Sequence, residues 1–553
     1  MSTQRPLASL RIGIVGAGPA GLTAAEELRQ KGYRNITVLE SKKRAGGKAM
    51  SIPFHDKDGN QLGIYEGGSV FVLPSKIYLD YARRLGLTVT YDVFPSARCL
   101  DLPTGTVCHP FLVPSALPLS KRLSQILRFM NLLKQFEKQD TPGFDGPMYQ
   151  ALTDPCSQWF LREGLGFARE AVVPLVSAMQ FPTTDGQIPT AYFIKTAILI
   201  SRMSLYRQLT MRFPKFQEGN QVLWQRLAGE HTVLFRSTVR RVVRGSTVRV
   251  ETLDQALEFD RLIWAAPTED FLAVADVTPE ERDVLSRVRI IKRAVITCRI
   301  DGLPQNVCYF LRNTVDHGVP MSYPYALIEV TPGTNVYNLY PYLAEDTSID
   351  ALVRNVYDLA RRLGGKRAKL LSHPLLWKWF PYYSSEDFRG GVYDRFARVQ
   401  GQNRTFFVGE ILAGVSIPRA MEFSAELVAR HFPRPRPVEG PEASVPVLVP
   451  RSMPASLLTT MPPPPVVAVE SHSSSSLAPI SPGAAPPPGL GAADLSYPRM
   501  SLRGVIGSRD KDPSGITRSA APTAAVPSQP TLGPPSGPSP SQPEKTEVER
   551  ESE

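Results

Sequence analysis

Leu10-Arg11-Ile12-Gly13-Ile14-Val15-Gly16-Ala17-Gly18-Pro19-Ala20-Gly21 is the stretch that decides the fold. Its first half is a short β-branched run, and its second half carries the GxGxxG spacing. Leu22 to Lys31 continues with helical spacing, which sets Ala24, Ala25 and Leu28 on one face, and Gly32 ends it. Asn35 to Leu39 reads as a second strand, closed by Glu40. Strand, glycine turn, helix, strand and acid in this order describe a Rossmann half that binds a dinucleotide. Gly16 permits the tight turn, Gly18 lets backbone N–H groups approach a pyrophosphate, and Gly21 lets helix pack close to strand. Ala20 completes the cradle, and the helix N-terminus faces the anion. Glu40, roughly 20 residues on, suits the adenosine ribose hydroxyls and disfavours a 2′-phosphate.

Composition divides the rest of the 553 residues. Up to about Phe432, apolar runs, aromatics and charges mix in ordinary proportion. From Pro433 on, Pro and Ser runs take over, about half of the 52 prolines lie there, and Tyr497 is the one aromatic. Such a segment cannot bury enough apolar surface to offset its ordering entropy, so residues 433–553 read as a disordered tail. The net charge is +11, and all of the excess lies on the part that folds. With no nucleic-acid module in view, this charge suits anionic ligands, or is simply a solvated basic surface. Cys99, Cys108, Cys156, Cys298 and Cys308 form no CxxC pair, and no histidine cluster has metal spacing, so no metal is expected and a reducing, cytoplasmic setting is. A strand beginning near Leu10 leaves no room for a signal peptide, and no apolar run reaches the ~18 residues of a membrane span.

Arg44-Ala45-Gly46-Gly47-Lys48 follows the acid directly. This run resembles the second glycine motif of the amine-oxidase and phytoene-desaturase superfamily of flavoproteins. There the glycines pass under the pyrophosphate of FAD and basic residues flank it, places that Gly46, Gly47, Arg44 and Lys48 match. Glu66-Gly67-Gly68-Ser69 resembles the family's next segment, beside the flavin ring. Arg404 to Phe407, then Val408-Gly409-Glu410, then a helix from Ile417 to Phe432, resembles its C-terminal flavin motif. In the family that acid bonds the ribityl or pyrophosphate region, and the helix N-terminus favours reduced, anionic flavin. Thr238 to Val242, Thr247 to Thr252 and Arg261 to Pro267 read as strands that return the chain to this domain, and by resemblance the Val239 backbone touches adenine. The resemblance thus implies an α/β fold: a Rossmann-like FAD-binding domain (8–70, 215–272 and 396–432), an interleaved α+β substrate domain with a helical cap (71–214 and 273–395), and the disordered tail.

Within the substrate domain, Lys121 to Lys138 places Leu123, Ile126, Leu127, Met130, Leu133 and Phe136 at helical spacing among basic residues. Such a helix either covers a core, the commoner role, or makes peripheral contact with a membrane. Tyr192 to Tyr206 reads as a second apolar helix, interrupted by Lys195 and Arg202. Trp379-Phe380-Pro381-Tyr382-Tyr383-Ser384-Ser385-Glu386-Asp387-Phe388, with Gly409-Glu410-Ile411, resembles the bacterial polyunsaturated fatty acid double-bond isomerases more than the monoamine oxidases. The likeness runs over roughly residues 8–432.

In those isomerases a hydride leaves an allylic carbon for the flavin and returns elsewhere, while an arginine and an aromatic clamp the carboxylate. The arginine falls on Arg98, and the aromatic on Leu205 or Tyr206. Tyr382 and Tyr383 are candidates for the flavin face or for the core. Amine oxidases keep a lysine near the flavin; Lys292 falls roughly there, with Arg293 competing. No cysteine follows Cys308, so FAD is expected to be non-covalent. The expected substrate is small and lipophilic, a carboxylate among the candidates. The leading function is isomerisation of a double bond by hydride abstraction and return. The alternative is an oxidase or dehydrogenase acting on an amine, or desaturating or cyclising a secondary metabolite; a flavin-loaded scaffold is the third.

Overall fold

The computed structural model describes residues 7–435 apart from 57, 70, 71, 74, 91–95, 103, 110–114, 180, 182–187, 204–213 and 312–321. The tail beyond 435 and the clamp candidates Leu205 and Tyr206 therefore lie outside the described residues.

Five parallel strands form the first sheet, in the order Thr405–Phe407, Arg261–Trp264, Arg11–Val15, Asn35–Leu39, Thr232–Leu234. Helices cover one face and an antiparallel sheet the other, which is why Ile12, Ile14, Val38, Leu262 and Ile263 are all buried. The first helix, Pro19–Lys31, begins with proline in its first turn and ends on Gly32 at φ 103°, the left-handed conformation that glycine adopts without strain. It packs against Ile417–His431, the last helix of the described residues. The Lys31 ammonium closes that contact by donating to the carbonyls of Val428 (2.8 Å) and Phe432 (2.7 Å).

The returning strands divide between two sheets, and one boundary moves. Among the returning strands, only Arg261–Trp264 enters this sheet; Arg241–Arg244 and Val248–Glu251 join Ala256–Phe259 in a separate antiparallel sheet. Their alternation, with Val242, Val248 and Val250 inward and Arg241 and Arg249 outward, suits a sheet wetted on one face. The helix Lys76–Arg84 belongs to the nucleotide half, because Tyr78, Tyr81 and Ala82 pack with Leu28 and Trp224, so that half extends past residue 70.

An eight-stranded mixed sheet forms the other half, built around the 13-residue strand Arg289–Asp301. One face packs on the helix Ile349–Arg362 through Leu352, Val356 and Leu359. The opposite face lies under the helices Leu119–Glu137, Cys156–Arg162 and Thr190–Ser201, over a core rich in aromatic rings. The second apolar helix stops at Ser201, short of the expected Tyr206.

Candidate cofactor and active site

The chain reversals at the carboxyl ends of the parallel strands leave a cavity of about 720 Å³. Val15, Gly16, Gly18 and Ala20 form its floor, and Glu40, Lys42, Gly47 and Lys48 one rim. Val239 and Thr268 stand at another side, and Gly409, Glu410, Ser416 and Ile417 close it. Most residues expected at the cofactor thus meet, although they come from four separate stretches of chain.

The glycines act through space they leave empty. A methyl on Gly21 would overlap the Gly16 carbonyl oxygen, so strand and helix touch only because Gly21 lacks one. Gly47, at φ +55°, turns its backbone toward Gly18; a Cβ there would stand 3.2 Å from the Gly18 Cα. The two backbones form the cradle that a pyrophosphate needs. Glu40 is buried, and its two oxygens accept from the backbone N–H of Ala17 (2.9 Å) and of Lys42 (2.8 Å). It therefore fixes both glycine loops and keeps lone pairs over for a ribose hydroxyl.

Lys48 pairs with Glu410 and also donates to the Trp379 carbonyl at 2.9 Å. The basic residue of the second loop thus holds the acid of the C-terminal motif. Ser416 caps the last helix by accepting from the Arg419 N–H at 3.2 Å, and the helix N-terminus faces the cavity. Arg419 itself is buried and paired with Asp140 at 2.6 Å. Burial pushes the Asp140 carboxyl up, but the Lys195 and Arg419 charges outweigh it and hold the acid ionised.

Some expected residues take supporting places. Arg44 does not line the cavity; its guanidinium staples its own loop by donating to the Gly47 carbonyl at 2.9 Å. Gly46, at φ +110°, makes the turn behind the rim. Gly67 and Gly68 stand behind the wall, where their carbonyls accept from the Trp377 indole (2.6 Å) and the Arg293 guanidinium (3.4 Å).

Among the described residues, the substrate-side candidates stand away from this cavity. Arg98 is not brought to this cavity. Ala97 and Cys99 face the core under the helical cap, so alternation turns Arg98 to the opposite side of the sheet, opposite Tyr309 in the neighbouring strand. There burial first, and then the Arg98 charge, lowers the His109 pKa. Tyr383 is a core residue: its hydroxyl donates to the Val284 carbonyl at 2.9 Å, and its own N–H donates to the Tyr192 hydroxyl at 2.8 Å. Tyr382 is half-buried beside Arg289, also outside the cavity lining.

Trp377 and Trp379 line the wall instead. The Trp379 indole N–H is buried and has no hydrogen-bond partner among the described residues. Behind it lies Arg293, 1 % exposed, its guanidinium 3.2 Å from the centre of the Trp379 ring and donating to the Tyr325 hydroxyl at 3.0 Å. No acid pairs with Arg293 among the described residues. Lys292, on the alternate face of the strand, is exposed. The signal that could have found this wall was alternation: Trp377 and Trp379 are two residues apart and share one side of their strand.

The residues fit FAD. The cradle would hold the pyrophosphate, Glu40 the ribose, and Lys42 and Lys48 the negative charge. No cysteine lines it among the described residues, and among them no group of three or more His, Cys, Asp or Glu could hold a metal ion.

Comparison with known proteins agrees with this geometry. A family model described as an NAD(P)-binding Rossmann-like domain matches residues 14–85. The FAD-dependent oxidoreductase dpchF of Colletotrichum higginsianum is 24% identical over 450 residues, covering 73% of this chain and 89% of that protein. Tryptophan 2-monooxygenase of Pseudomonas savastanoi is 34% identical over 92 residues, 16% of each chain. Among solved structures, the CLA-producing fatty acid isomerase of P. acnes superposes with a TM-score of 0.67 at 23% identity, over 76% of this chain and 99% of that one. Putrescine oxidase bound to putrescine gives a TM-score of 0.57 at 15% identity, over 76% and 99%. At these identities the structural likeness is one of fold. Taken with the cradle, the ribose acid and the C-terminal motif, these likenesses support an FAD-dependent enzyme of the oxidoreductase type, similar in fold to the fatty acid isomerase and to the amine oxidases.

Proposed function

We propose that the protein takes a hydride from a C–H bond of a small lipophilic substrate and returns it at another carbon, so that a double bond moves. Gly16, Gly18, Ala20, Glu40, Gly47, Lys48, Val239, Gly409 and Glu410 are proposed to hold FAD. When bound, FAD supplies the hydride acceptor and donor.

The observation that carries this reading is the state of the acids around the cavity. Glu40 is taken by two backbone N–H groups, Glu410 by Lys48, and Glu269 and Asp270 by Lys378. No histidine lines the cavity among the described residues. A wall without a free base suits hydride transfer, in which the protein binds, orients and excludes water. Ile290, Leu376, Trp377, Trp379, Pro381 and Val415 supply an apolar surface for that work. Arg293, clamped by Tyr325 and Gly68, sets a buried cation behind Trp379. A lipophilic substrate is reached most directly from a membrane surface, so peripheral membrane contact and a cytoplasmic location belong to the same reading.

The second reading, an oxidase or dehydrogenase, is favoured by the 89% coverage of the Colletotrichum oxidoreductase. Anaerobic mixing of the yellow protein with polyunsaturated fatty acids separates the two. Growth of conjugated-diene absorbance, equal with and without air, is the expected result. Lasting loss of the flavin band without oxygen, followed by peroxide on admitting air, would establish the oxidase.

A further inference from the structure

The helix Leu119–Glu137 carries more apolar residues than its packed face uses. Phe129 and Leu133 are buried, with Ile126, Leu132 and Phe136 against the same core. Leu119, Leu123 and Leu127 are instead 74%, 57% and 52% exposed. Spaced four residues apart, they form one stripe on the outer surface. Of the helical-spacing residues, Leu133 thus takes the core, while Leu123 and Leu127 face outward. A surface groove runs beside the stripe, lined by Leu123, Leu127, Arg128 and Asn131 among others. Leu161, 79% exposed, stands on the neighbouring helix Cys156–Arg162, which Arg128 reaches through Glu163 at 3.4 Å.

The exposed charges on this helix are positive, and beside it Glu163 pairs with Arg128. Lys121, Arg128, Lys134 and Lys138 are exposed along this helix, and residues 119–138 hold no exposed acid; their one acid, Glu137, is bonded to Arg202. Exposed leucines flanked by cations, on a helix that is otherwise folded into a core, match the surface of a lipid bilayer with anionic headgroups: leucines enter the acyl boundary and ammonium groups stay at the headgroups. A second copy of the chain fits less well. A two-fold contact through this face would set its cations against the same cations. No helix among the described residues is long and apolar enough to cross a membrane, so contact through this helix would be in the plane of the surface.

We propose that the outer face of Leu119–Glu137, with Leu161 beside it, docks the protein on an anionic membrane surface. The inference goes beyond the reaction proposed above and stands whether the chemistry is isomerisation or oxidation.

The test is sedimentation of the full-length holoprotein with vesicles of phosphatidylcholine, with and without phosphatidylserine. Wild type is expected to sediment with the anionic vesicles and to be released by salt. Leu123→Gln with Leu127→Gln should weaken partitioning at least tenfold. Lys121→Gln, Lys134→Gln and Lys138→Gln together should weaken it about a hundredfold, since each cation near an anionic surface contributes about fivefold. Retained flavin and an unshifted melting temperature show that the variants are folded. Failure of wild type to bind, or equal binding by both variants, overturns the proposal. So does a wild-type dimer that the leucine variant splits while vesicles bind neither, which would give the face to a second copy.

Discussion

Glu40→Gln keeps the size of the side chain and removes its charge, which makes it a direct probe of the cofactor rim. In the native protein the two carboxylate oxygens accept from Ala17 N–H at 2.9 Å and Lys42 N–H at 2.8 Å. A glutamine offers one acceptor and turns an NH₂ toward the other N–H, so one charge-assisted bond is lost outright. Such bonds are worth about 1.5–3 kcal/mol, and the surviving one weakens by about 1 kcal/mol when the charge goes. The total, about 3 kcal/mol, is close to a hundredfold in affinity at 1.4 kcal/mol per tenfold. Titration of apoprotein with FAD, followed by quenching of flavin fluorescence, reads the dissociation constant; melting with and without excess FAD shows how much of the loss falls on the protein alone. A dissociation constant within threefold of wild type, together with an unshifted melt, would refute the role given to Glu40.

Three other outcomes are expected. Gly21→Ala sets a methyl against the Gly16 carbonyl and should yield colourless, destabilised protein, since overpacking costs about 1–3 kcal/mol; a normal yellow holoprotein would contradict the packing described. Arg293→Met removes a buried cation behind the cavity wall and should lower the midpoint potential of bound FAD, by about 30 mV for each 1.4 kcal/mol lost, while Arg293→Lys restores part of it; an unchanged potential places the charge too far away to matter. Burial, against the Asn220 N–H, the Ser51 hydroxyl and the Lys215 charge, pushes the Glu66 carboxyl from 4.5 up to about 7. The folded state then holds a proton that the unfolded state releases, so stability is fully present below about pH 4.5 and falls as pH rises to about 7, by at most about 3 kcal/mol; denaturant melts of Glu66→Gln should lack this slope, and an identical slope would remove Glu66 as its source.

The nucleotide half was legible in the sequence because its signals are local. Asn35–Leu39 forms the strand expected of it, and the first helix ends at the glycine that predicted its end. Each depends on neighbours within about a dozen residues. The substrate side was not legible because there the facing of a strand decides. Arg98 and Cys99 are equally plausible as inward residues until the pairing with Val307–Leu311 fixes which side of the sheet each takes. Arg293 and Lys292 differ in the same way, and a bulge between Ile291 and Lys292 adjusts their pairing with the strand that carries Trp377 and Trp379. The leucines of Leu119–Glu137 left two roles open for another reason: helical spacing shows that residues share a stripe, not that anything covers it.

The bond from Lys31 to the Val428 carbonyl joins residues 397 apart in sequence. That closure sets a timetable for biosynthesis. The parallel sheet opens with Arg11–Val15 yet is finished by Thr405–Phe407, and the helix that faces the cavity follows even later. At about 5–20 residues per second, the ribosome takes roughly 7–30 s to pass from Trp264 to the missing edge. Throughout that interval the strand Arg261–Trp264 waits without its outer neighbour, a bare edge of the kind that seeds aggregation. Nascent chains arrested before Thr405 should therefore bind no FAD and should be held by chaperones, so that the yield of active protein in a host depends on holdase supply during synthesis as much as on the stability of the finished fold.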